Sequence, residues 1–282
     1  MGILRKLWQR EDKDQEIPIP PLEMRQLVGP TDPAAFDNPT GELVFPFLPE
    51  SAFEAVFDYG CGCGRLARQL LQQKPRPKRY VGVDIHRGMI EWDQNNLTPV
   101  DRNFQFHHHD VYNPSHAPTN SRRLTAPFEV EDKGFSLVIA WSVFTHIYEA
   151  QALHYLKEIA RIMRPDGVFL STWFLFDKRE FPMMQRFQNT LFVNETDPTN
   201  AVIFDREWVK EAISQAGLSI EEAVPPSIRG YHWRVTMRHK QPGDGPFEFP
   251  PDEAPYGSMP PPLMPQTTPP GDGQGGQGRG GG

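Results

Sequence analysis

Cysteine is nearly absent. The 282 residues contain two, Cys61 and Cys63, with one glycine between them. Cysteines that close cannot build a disulfide framework, so a reducing compartment, the cytoplasm, is expected. Long apolar runs are absent as well: none approaches the ~20 residues that span a bilayer, and no signal peptide is expected. Basic stripes and arginine-rich runs are missing, which argues against nucleic acid as the main partner. No internal repeat is present. The formal charge is −7, and most of it sits in the last 42 residues, where one arginine faces five acids (1 − 5 = −4) among 11 Pro and 11 Gly. Such a segment buries too little apolar surface to offset its ordering entropy, so 241–282 reads as a disordered tail.

Two other stretches are irregular. Residues 1–50 form an N-terminal arm rich in Pro and polar groups, with room for one short helix; Phe36 in FDNPTG is a candidate to close over a ligand. The first residues, GILRKLWQR, put Ile3, Leu4, Leu7 and Trp8 on one side of a short amphipathic helix, which suits either contact with a membrane surface or a docked or frayed terminus. The second irregular stretch, 176–203, is long, aromatic and Met-containing, as an ordered cap insert would be.

Between them the pattern is regular. Apolar runs at 55–58, 79–84, 103–110, 135–141 and 168–174 alternate with helix-period segments at 65–73, 89–96 and 152–163. The tetrapeptide RPDG (164–167) reads as a turn. A helix over 206–217 closes at Gly217, and two further strands end the body; YHWRVTMR alternates with period two, as an antiparallel strand does. Alternating strands and helices predict an α/β domain over 51–240, with a mostly parallel sheet covered on both faces.

Chemistry concentrates where the first strand meets the first helix. FDYGCGCGRLARQL (57–70) places Gly60, Gly62 and Gly64 in the connecting loop. Glycines there permit positive φ and close approach of backbone to a ligand, while the helix N-terminus favours an anionic group. The glycine spacing alone also fits a dinucleotide loop. Three acids sharpen the reading. Asp58, Asp84 and Asp110 end three successive strands, so they lie along one rim of the sheet, where open α/β sheets bind ligands. Asp84 can accept from vicinal ribose hydroxyls and Asp110 from an exocyclic adenine amine. NAD remains the physical alternative, disfavoured because no second mononucleotide-binding half follows.

These segments, with FSLVIAWSVFTHI and LKEIARIMRPDGVFLSTWF, resemble the successive motifs of class I S-adenosylmethionine-dependent methyltransferases over about residues 50–240, and especially bacterial members whose first motif reads GCGxGR. The resemblance implies a Rossmann-like, doubly wound seven-stranded sheet, order 3-2-1-4-5-7-6, with an antiparallel last strand. It implies S-adenosyl-L-methionine as cofactor. Asp58, Gly60, Gly62 and Gly64, with Tyr59 and Cys61 in the same loop, would hold the methionine moiety; Asp84 would take the ribose, Ile85, Asp110 and Val111 the adenine, and Trp141 would line the pocket.

Methyl transfer to a hydroxyl gains from a general base. His146, just past the fourth strand, is the candidate, against a reading in which it caps or packs the next helix. Trp173, Phe174 and Arg179 are candidates for the acceptor side. Cys61 and Cys63 with His107, His108 and His109 raise the question of zinc, but a lone CxC is poor ligand spacing and no metal is predicted. The expected enzyme acts on a small-molecule or sugar-type acceptor, O-methylation ahead of N-methylation. The alternatives are a protein methyltransferase of this fold and a non-catalytic partner that binds the cofactor.

Overall fold

The computed structural model describes residues 16–254. The amphipathic start and the tail beyond Ala254 lie outside the described residues. Five parallel strands make the centre of one sheet: β1 (Ala55–Tyr59), β2 (Arg79–Asp84), β3 (Phe104–His108), β4 (Phe135–Ala140) and β5 (Met163–Phe176), in the order β3-β2-β1-β4-β5. Antiparallel β9 (Trp233–His239) pairs with β5, and β8 (Leu218–Val224) pairs with β9. With β9 and β8 as the family's seventh and sixth strands, this is the expected 3-2-1-4-5-7-6 sheet. One addition was not expected. The insert supplies β6 (Thr190–Phe192) and β7 (Val202–Asp205), and β7 runs parallel to the far end of β5.

Alternation along each strand sends side chains to two cores. On one face Phe57, Tyr59, Val138 and Ala140 pack with Tyr155, Leu156 and Ile159 of α4 (Glu149–Ile162) and with Val209 and Ile213 of α5 (Arg206–Gln215). On the other, Val56, Leu137 and Ile139 pack with Leu70 and Leu71 of α2 (Arg65–Gln72) and Ile90 of α3 (Arg87–Asn96). Each fully buried side chain of this kind contributes roughly 1.5–3 kcal/mol.

Three boundaries differ from the sequence expectation. RPDG is a bulge at the start of β5: Met163 pairs with Phe135, and the register resumes at Val168 opposite Leu137. β3 ends at His108, so Asp110 lies two residues beyond it. Residues 241–254, assigned to the tail, lie on the body. Phe247 and Phe249 pack against the core beside Trp233, and Asp244 pairs with Arg238.

The arm is held by the polar face of α2. Buried Arg68 donates to the carbonyls of Ile17, Pro18 and Phe36 and pairs with Asp37, whose pKa that guanidinium lowers. Gln69 donates to Ala35 O at 3.0 Å, and Gln73 Oε1 accepts from Val44 N at 2.8 Å. Both faces of α2 are therefore covered, and α1 (Leu22–Leu27) is set beside the glycine loop.

Candidate functional site

A cavity of about 690 Å³ opens at the carboxyl ends of β1, β2 and β4. Its floor is the glycine loop. Gly60 and Gly62 have φ of +83° and +57°, a region that side chains avoid. A Cβ at Gly60 would collide with Val143, and one at Gly62 would stand 2.7 Å from Val28. The loop is tied to β2: the amides of Gly60 and Cys61 donate to Val83 O, and Gly62 N donates to Asp84 Oδ2 at 2.8 Å. His86 N donates to the other Asp84 oxygen at 2.7 Å. Burial raises the Asp84 pKa, with these two donors opposing it. Asp84 thus keeps one backbone donor on each oxygen and a lone pair on each for a ligand.

Asp58 is 1% exposed. Its Oδ2 accepts from Tyr80 OH at 2.7 Å, while Oδ1 has no partner. Burial pushes its pKa up to about 7. Asp58 lines the cavity, and a buried carboxylate oxygen without a partner there suits a cationic group such as an ammonium. The glycine cradle and the two carboxylates fit the methionine and ribose ends of S-adenosylmethionine. The residues that would hold that cofactor by this geometry are Asp58, Gly60, Cys61, Gly62, Asp84 and Ile85, joined by Val111 and Trp141, all at the cavity.

The opposite wall comes from distant segments. Leu27–Pro30 of the arm, His116 from the loop after β3, His146 and Ile147 after β4, Phe174 at the end of β5 and His232 before β9 all border the cavity. Ser142, next to Trp141, holds φ +59° although it is not glycine. Its N–H donates to Thr172 Oγ1 at 2.7 Å, which fixes this strained turn at the cavity edge. His146 Nδ1 lies 3.1 Å from Thr199 O, a carbonyl of the insert, and 3.3 Å from His116 Nε2. The carbonyl assigns the proton to Nδ1 and leaves Nε2 as a lone pair. Burial lowers the His146 pKa, so the ring is neutral near pH 7. His116 and His232 are lowered by the same cause.

Gly64, Asp110, Trp173 and Arg179, all picked from the sequence, do not border the cavity. Gly64 starts α2 with φ +75° and packs against Asp93 and Leu97, so its glycine is needed for the turn. Asp110 is exposed and accepts from Ser121 N at 3.1 Å, because β3 stops before it. Trp173 is fully buried against Phe144, ring centroids 4.1 Å apart. Arg179 is exposed and paired with Asp177. Tyr59 touches the cavity, but its ring packs with Phe128 and Tyr155 in the core. Phe36 is buried with Cys63 and Met89, away from the opening; Leu27–Pro30 occupy the place expected for it. His109 is a core residue bonded to Tyr155 OH at 2.8 Å, its pKa pushed down to about 4 by burial. Both thiols are buried, and burial pushes Cys63 up to about 12.

Sequence reasoning missed Arg65, His116, Ser142 and His232. Arg65 could have been suspected from its place directly after Gly64. The others carry no local signal.

Residues 56–167 match the family model described as a methyltransferase domain. The match runs from β1 to the bulge of β5; the arm, the insert and β8–β9 lie outside it. Several solved structures are similar to part of this chain. An S-adenosylmethionine-dependent methyltransferase from Mesorhizobium loti is 14% identical, with a TM-score of 0.48 over 68% of this chain and 94% of that one. The 1,6-didemethyltoxoflavin-N1-methyltransferase of Burkholderia thailandensis, solved with 1,6-didemethyltoxoflavin and S-adenosylhomocysteine, is 17% identical, with a TM-score of 0.45 over 66% of this chain and 71% of that one. Among the described residues no helix is long and apolar enough to cross a membrane.

Proposed function

We propose that this enzyme uses S-adenosylmethionine to methylate a small-molecule or sugar-type acceptor at oxygen, as a member of the GCGxGR-type group of class I methyltransferases. The observation that carries the reading is the unpartnered, buried Asp58 Oδ1 beside a glycine cradle braced by Asp84, within a segment that matches a methyltransferase domain model. When bound, the cofactor would supply a methyl group carried on its sulfonium sulfur, and that sulfur departs as a neutral thioether when the methyl is transferred. The protein then has to position the acceptor, exclude water and remove one proton. His146 suits the removal of that proton, since its Nδ1–H is held by Thr199 O and Nε2 takes the proton of the acceptor hydroxyl. Asn113 Nδ2 donates to His146 O at 2.9 Å and Thr199 Oγ1 to Asn113 Oδ1 at 3.1 Å, so insert and base form one network. Trp141, Phe174 and the arm residues Leu27–Pro30 exclude water on the remaining sides.

The test is a calorimetric titration followed by product analysis. S-adenosylhomocysteine should bind and NADH should not; the reverse would sink the reading. Incubation with methyl-labelled cofactor and fractionated extract, then mass analysis of the labelled product, identifies the acceptor and separates O- from N-methylation and small molecule from protein.

A further inference from the structure

Among the described residues, arginines are paired, hydrogen-bonded or exposed, with one exception. Arg68 pairs with Asp37, Arg79 with Glu131 and Arg238 with Asp244, while Arg87, Arg102 and Arg186 are exposed. Arg65 is half-buried at the cavity wall and makes no hydrogen bond or ion pair among the described residues. Its charge is felt on both sides. It favours ionisation of Asp58 at the floor and disfavours protonation of His232 on the opposite wall. His232 in turn packs at a tilt against Phe174, ring centroids 4.5 Å apart, with Nε2 3.2 Å from Ser142 Oγ. A partly desolvated guanidinium without a partner is unfavourable, and a planar anion that accepts two N–H groups is the ligand that best relieves it.

We propose that Arg65 is the carboxylate anchor of the cavity, pairing with the carboxylate of a bound small molecule beside the Phe174–His232 shelf. The proposal rests on the methyltransferase reading. Two molecules can bring that carboxylate: the amino-acid end of the cofactor, whose ammonium would face Asp58, or an acceptor that is a hydroxy acid.

Calorimetry on the full chain separates them. S-adenosylhomocysteine is compared with 5′-methylthioadenosine, which lacks the amino-acid carboxylate. With S-adenosylhomocysteine saturating, 4-hydroxybenzoate is compared with 4-hydroxybenzyl alcohol. A charge-assisted pair of this kind corresponds to roughly a ten- to hundredfold change in Kd. If the carboxylate is the cofactor's, Arg65→Gln weakens S-adenosylhomocysteine by that factor and leaves 5′-methylthioadenosine unchanged. If it is the acceptor's, the wild type prefers the benzoate and Arg65→Gln loses the preference. A folded Arg65→Gln protein that discriminates both pairs as the wild type does overturns the proposal, as does a wild type without either preference. Should Arg65→Gln fail to fold, Arg65→Lys keeps the charge without the planar fork and should show a smaller loss in the same arm. A wild type that binds neither nucleoside sinks the methyltransferase reading, and the anchor with it.

Discussion

The two walls of the cavity are built by different means. The floor is made of backbone and carboxylates from one continuous stretch, Asp58 to Ile85, braced by hydrogen bonds between neighbouring strands. The opposite wall is made of side chains, three imidazoles and several aromatic rings among them, from the arm, the loops after β3 and β4, the end of β5 and the approach to β9. A wall of backbone fixes one ligand shape. A wall of separately supplied side chains can change its ligand without disturbing the sheet.

That contrast can be broken by substitutions that should affect one wall alone. The largest effect is expected at His146. His146→Ala should lower the rate of methyl transfer by roughly 10²–10⁴-fold, while S-adenosylhomocysteine binds as before in calorimetry; unchanged turnover removes the base. Next come two neighbours in β5. Trp173→Ala should cost about 3–5 kcal/mol in urea unfolding, because it empties a fully buried site. Phe174→Ala should leave stability nearly unchanged and raise the KM for the acceptor; equal effects of the two would erase the difference between core and cavity at this step of β5. On the floor, Gly62→Ala forces a Cβ into positive φ and toward Val28. A loss of roughly 1–3 kcal/mol is expected, with weaker S-adenosylhomocysteine binding.

Stability should also depend on pH. The folded Asp58 pKa of about 7 lies above the ordinary aspartate value of 3.8. Its contribution is therefore fully present below about pH 4 and lost as pH rises toward 7. Denaturation midpoints followed from pH 4 to pH 8 should show this decline, and Asp58→Asn should flatten it.

The floor was legible in the sequence because its signals are local. A strand that ends in an acid, a glycine loop and the next helix are adjacent in the chain, so spacing alone brings Asp58, Asp84 and the loop together. The other wall depends on which distant loops meet, and strand alternation specifies only a face. His232 reads as one polar position among four, and nothing near it announces Phe174 or Ser142. Small errors of extent also matter. Ending β3 two residues early carries Asp110 to the surface while Val111 stays at the cavity. A one-residue step along β5 separates Trp173, in the core, from Phe174, at the site, since successive side chains point to opposite faces.

Gly60 and Val143 give the two walls a shared joint. The valine methyl occupies the space a Cβ on the glycine would need, and three residues beyond that valine stands His146. On the proposed function, settling of the loop around a ligand would press on the turn that carries His146, so the two halves of the cavity are expected to be coupled. Ordered binding follows: acceptor affinity should be higher with S-adenosylhomocysteine present, and Val143→Ala, which opens the joint, should bring the two affinities together.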